Sequence, residues 1–143
     1  MTDFPVTVFH NPACGTSRNV LAMVEAAGYR PEVVEYLKTG WDADQLRALF
    51  EEAGLSPREA LREKDTPAAA LGLLEAGVSD EVLLAAMAEH PILVNRPIVK
   101  TPKGAALCRP SERVFDLLER TPERFVKEDG EVVVPASSSA TAR

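Results

Sequence analysis

A chain of 143 residues that is 45% hydrophobic has enough apolar surface for one globular core, and with aromatics at 6% that core must be mostly Leu, Val and Ala. The formal net charge of -6 speaks against general binding to nucleic acid, which needs a basic surface. No run approaches the ~18 apolar residues of a membrane span, Met1–Pro5 does not open a secretory signal, and two distant cysteines make no disulfide framework, so a reducing cytoplasm is expected.

In chain order, Val6-Thr7-Val8-Phe9 is a β-rich run that stops at the turn-forming His10-Asn11-Pro12. Ser17 to Ala27 reads as a helix, with Val20, Leu21, Val24 and Ala27 on one face and Gly28 as its stop. Glu32 to Tyr36 is the next strand, completing a βαβ unit with parallel strands. Helix starts then recur at Asp42, at Ser56-Pro57, at Thr66-Pro67 with an end near Gly77, and at Ser79-Asp80, closed by Pro91. Ile98–Lys100 and Ala105–Cys108 flank a turn and predict a β-hairpin, and Pro110-Ser111-Glu112 opens a last helix through Leu118.

This order predicts an α/β fold: a thioredoxin-like mixed sheet, helices on both faces, and an inserted helical segment at about 42–90. Residues 1–134 are read as a single domain and 135–143 as a disordered tail. No large apolar helix face is left over, and a monomer is expected.

The first chemistry lies in His10-Asn11-Pro12-Ala13-Cys14-Gly15-Thr16-Ser17-Arg18-Asn19. Cys14 sits between a strand end and a helix start, where unpaired N–H groups and the helix dipole favour an anion. A free thiol near ~8.5 is only a few per cent ionised at neutral pH, so such a site matters. Gly, Thr, Ser, Asn and Pro around Cys14 argue for a loop open to solvent. Arg18 and His10 stand close enough in sequence to help stabilise the thiolate. Ser17 occupies the position where a dithiol motif needs its second Cys, and Val20 the position where a tyrosine-phosphatase loop needs Arg. The nucleophile therefore depends on an external thiol to resolve its covalent intermediate.

Three arginines complete the candidate site: Arg62 after the short helix opened by Ser56-Pro57, Arg96 before Pro97, and Arg109 before Pro110. A guanidinium suits a tetrahedral oxyanion because its planar fork donates two parallel hydrogen bonds and stays charged. Thiolate attack on a dianion also needs cations to offset the repulsion. In thioredoxin-like proteins the loop before such a proline packs on the cysteine loop, often through a cis peptide, so a cis Arg96-Pro97 bond is predicted. Cys108 is read as a strand residue and Trp41 as a packing residue.

The runs HNPACGTSRN at 10–19, HPILVNRPIV at 90–99 and LCRPSE at 107–112 resemble the glutaredoxin-dependent arsenate reductases of bacteria, the ArsC family, from about Val6 to Glu131. The resemblance implies that Cys14 attacks arsenate and forms a thiolate–arsenate adduct. Glutathione and glutaredoxin then reduce that adduct, and arsenite leaves. It further implies that Arg62, Arg96 and Arg109 bind the oxyanion, that His10 assists the thiolate, and that no metal or organic cofactor is bound.

Three rival readings share this background. An oxidant-sensing transcriptional regulator of the same fold, binding RNA polymerase, usually carries a CxxC switch, which Ser17 speaks against. A glutathione-dependent thiol reductase acting on another substrate keeps the cysteine without the full arginine set. A monothiol glutaredoxin is suggested by the CGTS spelling, although its glutathione site is not visible in the sequence.

Overall fold

The computed structural model describes residues 4–135. The described residues fall into two compact units, one running to Glu35 and resuming at Arg96, the other Tyr36–Asn95. The second takes in the whole 42–90 segment read as an insertion, and the tail beyond Pro135 lies outside the described residues.

The first unit is built on β1 (Thr7–Phe9), α1 (Gly15–Ala26) and β2 (Glu32–Val34), followed later in the chain by β3 (Ile98–Thr101) and β4 (Gly104–Leu107). These strands make one sheet in the order β2-β1-β3-β4, with β1 and β2 parallel and the other pairs antiparallel, so the sheet is mixed as expected. Val8 pairs with Val99, and Val99 with Ala106, giving one row of small apolar side chains. Val20, Met23 and Val24 of α1 share a core with that row and with Val114, Phe115 and Leu118. Each such fully buried side chain contributes roughly 1.5–3 kcal/mol.

α1 ends where expected. Gly28 adopts a φ of 97°, and Arg120 donates from Nε to the Ala27 carbonyl (2.9 Å) and from Nη2 to the Gly28 carbonyl (2.9 Å). A Cβ at position 28 would lie 3.1 Å from Arg120 Nε, so this carbonyl cap favours glycine by space as well as by φ.

The second unit contains α2 (Tyr36–Thr39), α3 (Ala43–Ala53), α4 (Pro57–Ala60) and α5 (Asp80–Glu89). Ser56 and Glu59 form a reciprocal capping box on α4, and Ser79 caps α5. Asp42 caps α3 by accepting from the Asp44 N–H, and Gly54 closes it in the left-handed conformation.

Four local expectations change. Tyr36 leaves the strand and starts α2; its ring is buried beside Trp41 and its hydroxyl donates to the Val94 carbonyl at 3.0 Å. Residues 66–77 form successive turns instead of a helix. Gly72, at a φ of 74°, donates to Ala69 O while Leu73 donates to Ala68 O, a Schellman-type closure that ends helical winding after one turn. Ser111–Leu117 is a 3-10 helix; Ser111, Val114 and Leu117, three residues apart as its period requires, are buried together with Phe115. Finally, β5 (Phe125–Val126) and β6 (Val132–Val133) form a separate antiparallel hairpin that the sequence reading did not anticipate.

Candidate active site

Strand register gathers the site at one end of the sheet. Phe9 at the end of β1 pairs with Ile98 at the start of β3, and Ile98 pairs with Leu107 at the end of β4. The residues just beyond these positions are His10, Arg96-Pro97 and Cys108-Arg109. The Cys108 N–H donates to the Pro97 carbonyl at 2.9 Å, extending the pairing past the strands. The Arg96-Pro97 peptide is cis, as predicted, and Arg109-Pro110 is cis as well.

Between β1 and α1 the loop is tied by its own polar groups. The Asn11 side chain accepts from the Ala13 N–H (2.9 Å), and the Cys14 N–H donates to the Asn11 carbonyl (3.0 Å). Ser17, fully buried, is the hub: its Oγ accepts from the Asn11 N–H at 3.1 Å and lies 2.7 Å from His10 Nδ1. Cys14 is the N-cap residue of α1.

The Cys14 residue is 8% exposed, less than a loop open to solvent implied. Its sulfur is nevertheless in polar company, with Arg109 Nη1 at 3.7 Å; the same nitrogen donates to the Arg96 carbonyl at 2.9 Å. Burial by itself would push the thiol up. Hydrogen bonds from the Ser17 N–H and from the Arg96 and Arg109 guanidiniums, together with the Arg96 charge, outweigh it and hold the thiol below its ordinary range. The thiolate therefore forms more readily here than on a free cysteine.

His10 meets the cysteine loop from the end of β1. Burial, with the nearby Arg18 charge, holds its imidazole below the usual histidine range against the opposing pull of Glu35. Its link to the loop is the hydrogen bond between Nδ1 and Ser17 Oγ. Arg18 is engaged by Glu128 through a bidentate ion pair (2.8 and 3.0 Å).

Arg62 belongs to the second unit, half-buried, where its N–H donates to the Leu93 carbonyl (2.7 Å) and its Nε to the Lys64 carbonyl (3.3 Å). Cys108 is fully buried, and desolvation pushes its thiol up to about 12. The sequence reading used Ser17 only to exclude a dithiol motif and missed it as the organiser of the loop. Its position, three residues after a helix-capping cysteine, was the available signal.

Among the described residues, no group of three or more His, Cys, Asp or Glu side chains is arranged to hold a metal, and no helix is long and apolar enough to cross a membrane.

Relatives match nearly the whole chain in sequence. The arsenate reductase ArsI1 of Synechocystis sp. is 58% identical over 135 residues, covering 94% of each chain. An arsenate reductase of Rhizobium meliloti is 58% identical over 132 residues, covering 92% of this chain and 94% of its own. The solved structure of an arsenate reductase from Vibrio cholerae superposes with a TM-score of 0.78 at 39% identity, over 82% of this chain and 100% of that one. The fold is thus thioredoxin-like with a helical insertion. The ArsC family model matches residues 9–117, a span that runs from the end of β1 past Cys14, Arg96 and Arg109, and the chain belongs to the ArsC family.

Proposed function

We propose that this protein reduces arsenate to arsenite, with Cys14 as the nucleophile and Arg96 and Arg109 as the cations that receive the oxyanion. The observation that carries the reading is the convergence of both guanidiniums on a sulfur whose thiol they help hold below its ordinary range. Names of relatives at 58% identity support arsenate as the substrate.

Electron arithmetic then points to external thiols. Taking arsenic from the +5 to the +3 state needs two electrons, while Cys14 must return as a thiol. Attack of its sulfur on arsenic expels an arsenate oxygen as water or hydroxide and leaves a covalent adduct. The two electrons then come from two further thiols, which finish as a disulfide when arsenite departs. Ser17 is no thiol, and Cys108 is buried with its thiol pushed up to about 12. Glutathione and glutaredoxin are accordingly the proposed reductants. His10 assists by holding Ser17, and Arg62 joins the anion-binding set on the family resemblance alone. The same reading has the protein work in the cytoplasm as a monomer, with no bound metal or organic cofactor.

The test is a coupled assay of purified protein with arsenate, glutathione, glutaredoxin and a glutathione-reductase system oxidising NADPH. Arsenate-dependent oxidation is expected only when every component is present. Equal rates without glutaredoxin would refute the proposed reductant, and no rate with the full set would refute the activity.

A further inference from the structure

Arg18, in the first turn of α1, reaches two separate parts of the chain. Its Nε donates to Glu128 Oε2 at 2.8 Å and its Nη2 to Glu128 Oε1 at 3.0 Å, while Nη1 donates to the Pro12 carbonyl at 2.8 Å. Glu128 lies in the turn of the β5–β6 hairpin, 110 residues further along the chain, and its own N–H donates to Asn19 Oδ1 at 3.0 Å. A Cβ built on Gly15 would lie 3.7 Å from Arg18 Nη2 and 3.9 Å from Glu128 Oε1. The ion pair therefore lies against the residue that follows the proposed nucleophile.

We propose that Glu128 is a positioning residue for Cys14, acting through Arg18: it holds the guanidinium on the Pro12 carbonyl beside the cysteine loop and offsets its charge there. The inference rests on Cys14 being the nucleophile.

Stability alone is a weak reason for the pair. Its side chains are 44% and 50% exposed, and ion pairs in such surroundings add little to folding. Charge placement is a stronger one. The groups facing the cysteine loop are Arg96 and Arg109 at the sulfur, Arg18 and Glu128 at Gly15, and His10 behind Ser17 with Glu35 near it. All the fixed charges that bear directly on the sulfur in this set are positive, and Arg18 also feels the thiolate. An uncompensated Arg18 would stabilise the thiolate further, and a more stabilised thiolate is a poorer nucleophile. Glu128 limits that effect while its bidentate grip keeps Arg18 on the loop backbone.

The decisive measurement is the pH profile of Cys14 alkylation by iodoacetamide, followed by peptide mass so that Cys108 does not contribute. In Glu128→Gln the midpoint should move to lower pH, giving about three- to tenfold more thiolate below the midpoint, as one nearby unit charge in partly solvated surroundings implies. The plateau rate constant should fall. Arg18→Gln should move the midpoint the other way, and adding Glu128→Gln to it should shift the midpoint less than in wild type, because the carboxylate is no longer held at the loop by Arg18. An unmoved midpoint in Glu128→Gln, or an equal shift with Arg18 removed, overturns the proposal. Alkylation involves no arsenate, so either failure leaves the arsenate reading standing. A wild-type Cys14 that ionises only in the ordinary thiol range would instead strike at that reading.

Discussion

The surroundings of Cys14 and Cys108 make a controlled comparison within one molecule. Both cysteines are buried, both follow a strand at the same end of the sheet, and Arg109 is covalently next to one and hydrogen-bonded to the other. Yet the first thiol is held below its ordinary range and the second is pushed up to about 12. Cys108 is the more deeply buried, and desolvation is the main cause of its raised thiol; the two also differ in donors. Cys14 receives the Ser17 N–H and two guanidiniums, whereas Cys108 has its sulfur 3.7 Å from the Ala106 carbonyl, an acceptor that only a protonated thiol can satisfy. Burial raises both thiols, and only at Cys14 are there donors enough to outweigh it.

The largest test of this contrast is Cys14→Ser, which is expected to abolish arsenate-dependent NADPH oxidation in the coupled assay. Residual turnover above the protein-free background would sink the assignment of the nucleophile. Next in size, Arg96→Lys keeps the charge and loses the planar fork; since removal of one anion-stabilising donor costs roughly 10²–10³ in rate, kcat/KM should fall by about 10- to 100-fold. Wild-type kinetics in that variant would show that charge alone suffices.

The two thiols should also pull folding stability in opposite directions with pH. Cys14 has a lowered folded value, so its contribution is fully present above the unfolded thiol value and is lost as pH falls through the folded one. Cys108 is raised, so its contribution is present below the ordinary thiol value and is lost as pH rises towards about 12, at about 1.4 kcal/mol per pH unit in between. Urea unfolding of wild type and Cys108→Ala at pH 8 and pH 10 should show the wild type losing more stability over that interval. Parallel losses would contradict the assigned environment. The smallest effect concerns turnover: Cys108→Ala should stay within about twofold of wild type, the outcome for a strand residue with an inert thiol. A loss comparable to that of Cys14→Ser would make it a resolving thiol.

Much of this architecture was legible because its signals are local. A β-rich run ending at His10-Asn11-Pro12, apolar spacing in α1 and the Pro102-Lys103 turn each act over a few residues, and β1, α1, β3 and β4 follow them closely. The 66–77 segment misled because apolar residues and a Thr-Pro start suit a helix, while the left-handed Gly72 ends it early. The β5–β6 hairpin has strands of two residues each, too short to show alternation. In the candidate site, Cys14, Arg96 and Arg109 stood out because each abuts a turn or a proline. The roles of Ser17 and Glu128 did not, since a hydroxyl that knits a loop and a carboxylate 110 residues away depend on contacts that sequence spacing does not encode.

The β3–β4 hairpin has a polarity with a practical use. Arg96 and Arg109 flank its open end, while the Pro102-Lys103 turn closes the other, across strands of four residues and so about 13 Å away. Attaching the molecule to an electrode or a fluorescent reporter through that tip would start the tether remote from the guanidiniums, making the hairpin a natural handle for a sensor.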